Sequence, residues 1–280
     1  MGAYPYLVAG LEELRLDSPR RNFSLHEYFM HGRELLSASD FEQLRRLFFF
    51  NDIRNTVYLF FNQKQKKEDY VTPAYYDQNE FLEGKKDHEL FFPFLRRFYD
   101  SQEGNGRRVA PDLPPADELT LFLYEDLSTL VSGFSERWYQ FELELRNFSL
   151  AIALKRDGID PAKRVIPIGV VAEAVGKSQA PDFGLEREFP WTAEILAHTD
   201  SALDFEQTIE RVRWNWLENE NNVEWDGIEA VLAYAVRLQS VERWDVLDEA
   251  SGRKTFETML GTIERSIRFS VELAGPGGQT

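Results

Sequence analysis

Residues 134–155 read FSERWYQFELELRNFSLAIALK, and the fold follows from this stretch. Phe134, Trp138, Phe141, Leu145, Phe148 and Ile152 recur at spacings of 4, 3, 4, 3 and 4, which places them in one apolar stripe along a helix. Leu143, Leu150 and Leu154 form a second stripe on another side, and Asn147 falls within that row. A helix apolar on two sides lies between neighbours, so the spacing predicts a long buried helix over 135–155, ending at Asp157-Gly158. The amide of Asn147 must then find partners, because an unsatisfied buried amide costs about 1–3 kcal/mol. Glu144, one turn earlier, is placed to join such a network.

Working outward, the tetrapeptide Glu144-Leu145-Arg146-Asn147 has a near copy in Asp52-Ile53-Arg54-Asn55, at an offset of 92 residues. A fainter third copy, Glu242-Arg243-Trp244-Asp245, follows 98 residues after the second and keeps only the acid and a polar residue three positions on. Chance or ordinary helix polarity can produce one such match. The similar spacing of the third points to an internal repeat. Ser39-Asp40-Phe41-Glu42 reads as a capping box that opens a helix over 40–64, and a third long helix is expected over 226–244. Further helices are expected at 24–36, 88–100, 117–131, 203–218 and 253–272, and alternating strand patterns of useful length are hard to find. The stretch Ser101 to Pro115, with two glycines and three prolines, is the best linker. Val165 to Pro190 is a less defined break, and the tail after residue 272 reads as disordered.

Composition narrows the function. The 280 residues contain no cysteine, which excludes disulfides, cysteine-ligated zinc, iron–sulfur clusters and thiol chemistry, and fits a reducing cytoplasm. Met1-Gly2-Ala3-Tyr4-Pro5-Tyr6 has neither the basic region nor the apolar run of a signal peptide, and Tyr6 stands where myristoylation needs Ser or Thr. No stretch approaches the roughly 18 apolar residues of a membrane span, so membrane association is expected only through another protein. The formal net charge of −16 argues against binding nucleic acid or bare anionic lipid. It is graded along the chain: −2 over residues 1–100, −5 over 101–190 and −9 over 191–280.

The opening Tyr6-Leu7-Val8-Ala9-Gly10-Leu11, the two acid-x-Arg-Asn helices and Tyr234-Ala235-Val236-Arg237-Leu238 resemble a bacterial family similar to the C-type subunit (d-type in eukaryotes) of V-type rotary ATPases. The resemblance runs to about residue 272. It implies an all-α chain of three pseudo-repeated helical lobes, 1–100, 101–190 and 191–272, in a pseudo-threefold wedge or funnel. One face of that wedge would receive the central-stalk shaft subunits and the other would sit on the membrane-ring subunits, at the inner face of the membrane. Asp52, Asn55, Glu144 and Asn147 would be helix-bracing residues, and Asp245 departs from the asparagine of the pattern. A generic cytoplasmic helical scaffold is the alternative.

No catalytic, cofactor-binding or metal-ligating residue is assigned. Gly104-Asn105-Gly106-Arg107-Arg108-Val109 starts like a dinucleotide fingerprint but lacks its third glycine and sits in the linker. His26 and His31 are one residue too far apart for a zinc-protease helix, and the pairs Glu27–His31 and Glu194–His198 are i, i+4 where a di-iron bundle needs i, i+3. Around the acidic run Glu218-Asn219-Glu220 stand Trp214, Trp216 and Trp225. With Glu224 they suggest a partner-contact surface anchored by tryptophan, against the plainer reading that the tryptophans are core. Eight acids between Asp204 and Glu229 would then face a basic partner.

Overall fold

The computed structural model describes residues 4–16, 23–61, 70–103, 108–220 and 226–247, and all regular elements among them are helical. They are α1 (Pro5–Ala9), α2 (Leu25–Leu35), α3 (Ala38–Arg46), α4 (Phe49–Phe61), α5 (Gln78–Gly84), α6 (Pro93–Glu103), α7 (Pro115–Leu130), α8 (Phe134–Arg156), α9 (Val170–Lys177), α10 (Trp191–Ala197), α11 (Ala202–Asn219) and α12 (Ile228–Val246). The expected helix over 253–272 and the tail lie outside the described residues. No described helix is long and apolar enough to cross a membrane.

Helix starts follow local chemistry. Ser24 and Glu27 form a capping box at α2, Asp77 and Glu80 another at α5, and proline occupies the first turn of α1 and α7. The helix expected over 88–100 begins instead at Pro93, because a residue preceding proline is pushed out of the helical region.

The helix expected over 40–64 is two helices, α3 and α4, broken at Leu47-Phe48. Leu47 and Phe48 pack into one core and Phe49 into the other. The start also moves from Ser39 to Ser37, whose hydroxyl accepts from the amide of Asp40 at 3.2 Å.

Buried apolar side chains form two cores. One joins α2, α8, α11 and α12; the other joins α4, α6 and α7. The helix α8 is the wall between them: Phe134, Trp138, Phe141, Leu145 and Phe148 enter the first core, Tyr139 and Leu143 the second. At roughly 1.5–3 kcal/mol for each large apolar side chain fully buried, this one helix contributes to both cores on a scale comparable to a domain's net stability.

Candidate functional site

The two acid-x-Arg-Asn sequences build the same device. On α4 the carboxylate of Asp52, fully buried, accepts from the amides of Tyr75 at 2.9 Å and Tyr76 at 3.0 Å. One turn later Asn55 pairs reciprocally with Val71: its Nδ2 donates to the carbonyl at 3.0 Å, and its Oδ1 accepts from the amide at 2.8 Å. On α8 the carboxylate of Glu144 accepts from the amides of Val170 at 2.8 Å and Val171 at 2.9 Å. Asn147, also fully buried, accepts from the amide of Ile166 and donates to its carbonyl, both at 2.9 Å, with a longer contact to the carbonyl of Ile168 at 3.3 Å. In each case the acid takes two successive amides and the asparagine completes a non-helical residue that has no ladder partner of its own.

Glycine makes room for the second clamp. Gly169 is the cap of α9, has φ +91° and offers no side chain to the first amides of the helix. Glu144 takes over that role from a different element. A Cβ on Gly169 would lie 2.4 Å from its Oε1.

Burial pushes the Asp52 carboxyl up to about 7, against the opposing pull of the Tyr76 and Tyr75 amides and of Arg45. Burial raises Glu144 as well, opposed by the amides of Val171 and Val170. A carboxylate near neutrality can act as a general base. Both oxygens of Asp52 are occupied by backbone amides, however, and the residue has no exposed surface, so its geometry holds the chain and does not receive a substrate.

The arginines of the motif diverge. Arg54 is exposed, whereas Arg146 donates to Asp117 of α7 at 2.5 Å. In the third copy Glu242 accepts from the amide of Leu25 at 2.7 Å, so it too grips the start of a helix, α2. Arg243 there lies 3.1 Å from Glu210. Asp245 is half-buried, and a carboxylate has no N–H with which to repeat the reciprocal asparagine pair.

Four residues of the expected tryptophan-anchored surface are described, and Glu218 among them is exposed. Trp214 is buried and its Nε1 donates to Glu218 at 2.9 Å. Trp216 stacks on Phe141, with ring centres 4.8 Å apart, and packs against Trp138. The side chain of Glu220 is 7% exposed and pairs with Arg137. Indole rings next to an apolar helix gain more from burial than from display. Glu224 and Trp225 lie outside the described residues.

Several of the acids between Asp204 and Glu229 are internal braces. Glu229 accepts from the amide of Phe134 at 2.8 Å, capping α8 across Gly133 just as Glu144 caps α9 across Gly169. Glu210 shares Arg213 with Glu142 of α8, at 2.6 Å to each. Burial works against the charge of Arg213, but Glu142 and Glu210 outweigh it and hold the guanidinium protonated. The sequence does carry a signal for the Glu229 cap: a helix opening on a bare glycine needs an acceptor from elsewhere.

Among the described residues no group of three or more histidines and carboxylates is placed to hold a metal ion. The fold and its clamps define a helical protein in which motif acids hold backbone amides of other segments, at the starts of α9 and α2 for Glu144 and Glu242. A family model described as a protein of unknown function (DUF2764) matches residues 1–267, and the chain belongs to that family. No curated protein and no solved structure gives a significant match.

Proposed function

We propose that this chain is a coupling component akin to the C-type subunit of V-type ATPases: three helical lobes in an approximate threefold arrangement, seated between central-stalk shaft subunits and the membrane ring at the cytoplasmic face. In this reading it turns over no substrate and carries torque, while hydrolysis and ion movement belong to other subunits.

One observation carries the reading. Three long helices, α4, α8 and α12, each use an acid of the repeated motif to hold the start of a different segment, and the last holds α2, near the beginning of the chain. A part that transmits torque without slipping needs joints that do not creep. Buried carboxylate–amide and reciprocal asparagine pairs are such joints, because breaking one strands polar groups away from water.

The test is co-purification. Full-length tagged chain, expressed at its natural level in its own cell, is captured after mild detergent extraction and its partners are identified by mass spectrometry. Shaft and ring subunits of a V-type ATPase are the expected companions. Their absence, with other proteins captured reproducibly, would overturn the coupling role in favour of a general helical scaffold.

A further inference from the structure

The three acid contacts differ in how they are backed. Asp52 holds a residue 23 positions further along the chain and Glu144 one 26 positions further, so a short stretch of chain keeps each pair near even when the hydrogen bonds break. Glu242 and Leu25 are 217 positions apart, and no short stretch of chain ties α12 to α2.

We propose that the joint between α2 and α12 is the one that opens. The segment from Tyr4 to Leu11, together with α2, leaves α12 as a unit while the joints at Asp52 and Glu144 stay shut. Four features converge on this joint. Among the described residues Glu242 accepts one amide, where Asp52 and Glu144 each accept two. Asp245 cannot supply the donor that Asn55 and Asn147 supply.

Packing at this joint is incomplete. A cavity of about 230 Å³ lies between Leu7, Leu11, Tyr28 and Val231, and another of about 110 Å³ between Leu11, Ala230, Tyr234 and Arg237. Cavities forfeit the contacts that close packing provides. Finally, α1 fully buries none of its residues and Tyr6 is 94% exposed, so the segment is held by the partly buried Tyr4, Leu7, Val8 and Leu11.

Among the described residues, ring contacts of Phe23 and Tyr28 with Tyr234 and a few hydrogen bonds also cross the joint. The amide of Tyr4 donates to the carbonyl of Asp226 at 2.6 Å, and the hydroxyl of Tyr28 donates to the carbonyl of Val231 at 3.0 Å. The hydroxyl of Tyr4 donates to Asp40 at 2.6 Å and accepts from the amide of Ser37 at 3.1 Å. Those two bonds sit at the turn between α2 and α3, where the unit would pivot, and need not break. Opening bares an apolar stripe of α12 formed by Ala230, Val231 and Tyr234, the kind of face an apolar helix can enter. In the coupling role proposed above, which this last step assumes, the joint is where the cyclic order of contacts parts to admit a shaft.

Hydrogen exchange on the isolated full-length protein tests the joint without any partner, so failure to find an ATPase complex leaves the result intact. Off α12 an 11-residue helix is marginal in water, so the amides of Tyr4, of Leu25 and along α2 are expected to exchange together, at least about 10-fold faster after correction for intrinsic rates than those of Tyr75, Tyr76, Val170 and Val171. Glu242→Ala should speed the first group by a further factor of about 10 and leave the second unchanged. Glu242→Gln, which keeps an acceptor oxygen, should fall between the two. Protection of α2 equal to that of Val170 and Val171 would overturn the proposal. So would graded loss from the α2 end with Tyr4 unaffected, since that is fraying of one helix.

Discussion

Replacing Asn147 by leucine isolates what a buried clamp contributes. The two side chains share a branched four-atom outline, so the change removes polar pairing while adding only the bulk of the methyl groups. Asn147 and Ile166 are both fully buried, and the amide and carbonyl of Ile166 bond to Asn147 at 2.9 Å each. Leucine strands the amide of Ile166 in a place water does not reach, while its carbonyl keeps the amide of Ile168 at 2.7 Å. The stranded amide costs about 1–3 kcal/mol and the carbonyl's lost second bond about 0.5–1.5 more, roughly 2–4 kcal/mol gross. Burying leucine next to Leu143 returns on the order of 1 kcal/mol, so the net expectation is about 1–3 kcal/mol. Asn55→Leu is the matched comparison. Its partner Val71 is only half-buried, so water can replace the lost bonds and about 1–2 kcal/mol should go. Exposed Arg54 provides the baseline, and Arg54→Ala should stay within about 0.5 kcal/mol. Urea titrations followed by tryptophan fluorescence rank the three by midpoint at constant slope. An unaltered midpoint for Asn147→Leu, or a larger loss for Asn55→Leu, would refute the burial argument.

Three other outcomes follow from the clamps. Because burial raises Asp52 from 3.8 to about 7, the folded chain keeps a proton that the unfolded chain releases. This contribution to stability is complete below about pH 4 and lost as pH rises to about 7, on the order of 4 kcal/mol in all. Asp52→Asn should flatten that slope, and parallel pH profiles of the two proteins would contradict it. Gly169→Ala drives a methyl group against Glu144 at a φ of +91°, so a loss of about 2–3 kcal/mol is expected. Gly184→Ala, at φ +79° but in open space, should lose about 1–2 kcal/mol, and equal losses in thermal melts would remove the steric argument. Glu229→Ala strips the cap from α8 and should cost about 1–2 kcal/mol, against less than about 0.5 for exposed Glu34→Ala; indistinguishable melting points would show that α8 does not need its cap.

What could be read in advance, and what could not, divides along the range of the interaction. The two-sided stripe of α8 depends on residues three and four apart, so its burial between two cores was legible, and so was the need of Asn147 for partners. The identity of those partners was not, because Ile166 and Val170 are brought there by a segment with no periodicity of its own. The short helix α9 was missed for the same reason: its start is stabilised by Glu144 of another element, and Gly169 gives no local capping signal. The break at Leu47-Phe48 escaped because both residues suit a helix and neither is a glycine or proline that would mark it. Charge misled in a more general way. A run of carboxylates in an acidic chain suggests a solvated face, yet Glu210, Glu220 and Glu229 each pair with an arginine inside the fold, and Glu229 also caps a helix. Composition counts charges without locating them. The more useful sign was the bare glycine before a helix, at Gly133 and Gly169, since first-turn amides that lack a local acceptor must draw one from elsewhere. In both places that acceptor is a glutamate on another helix, so part of the chain's excess of acid is structural.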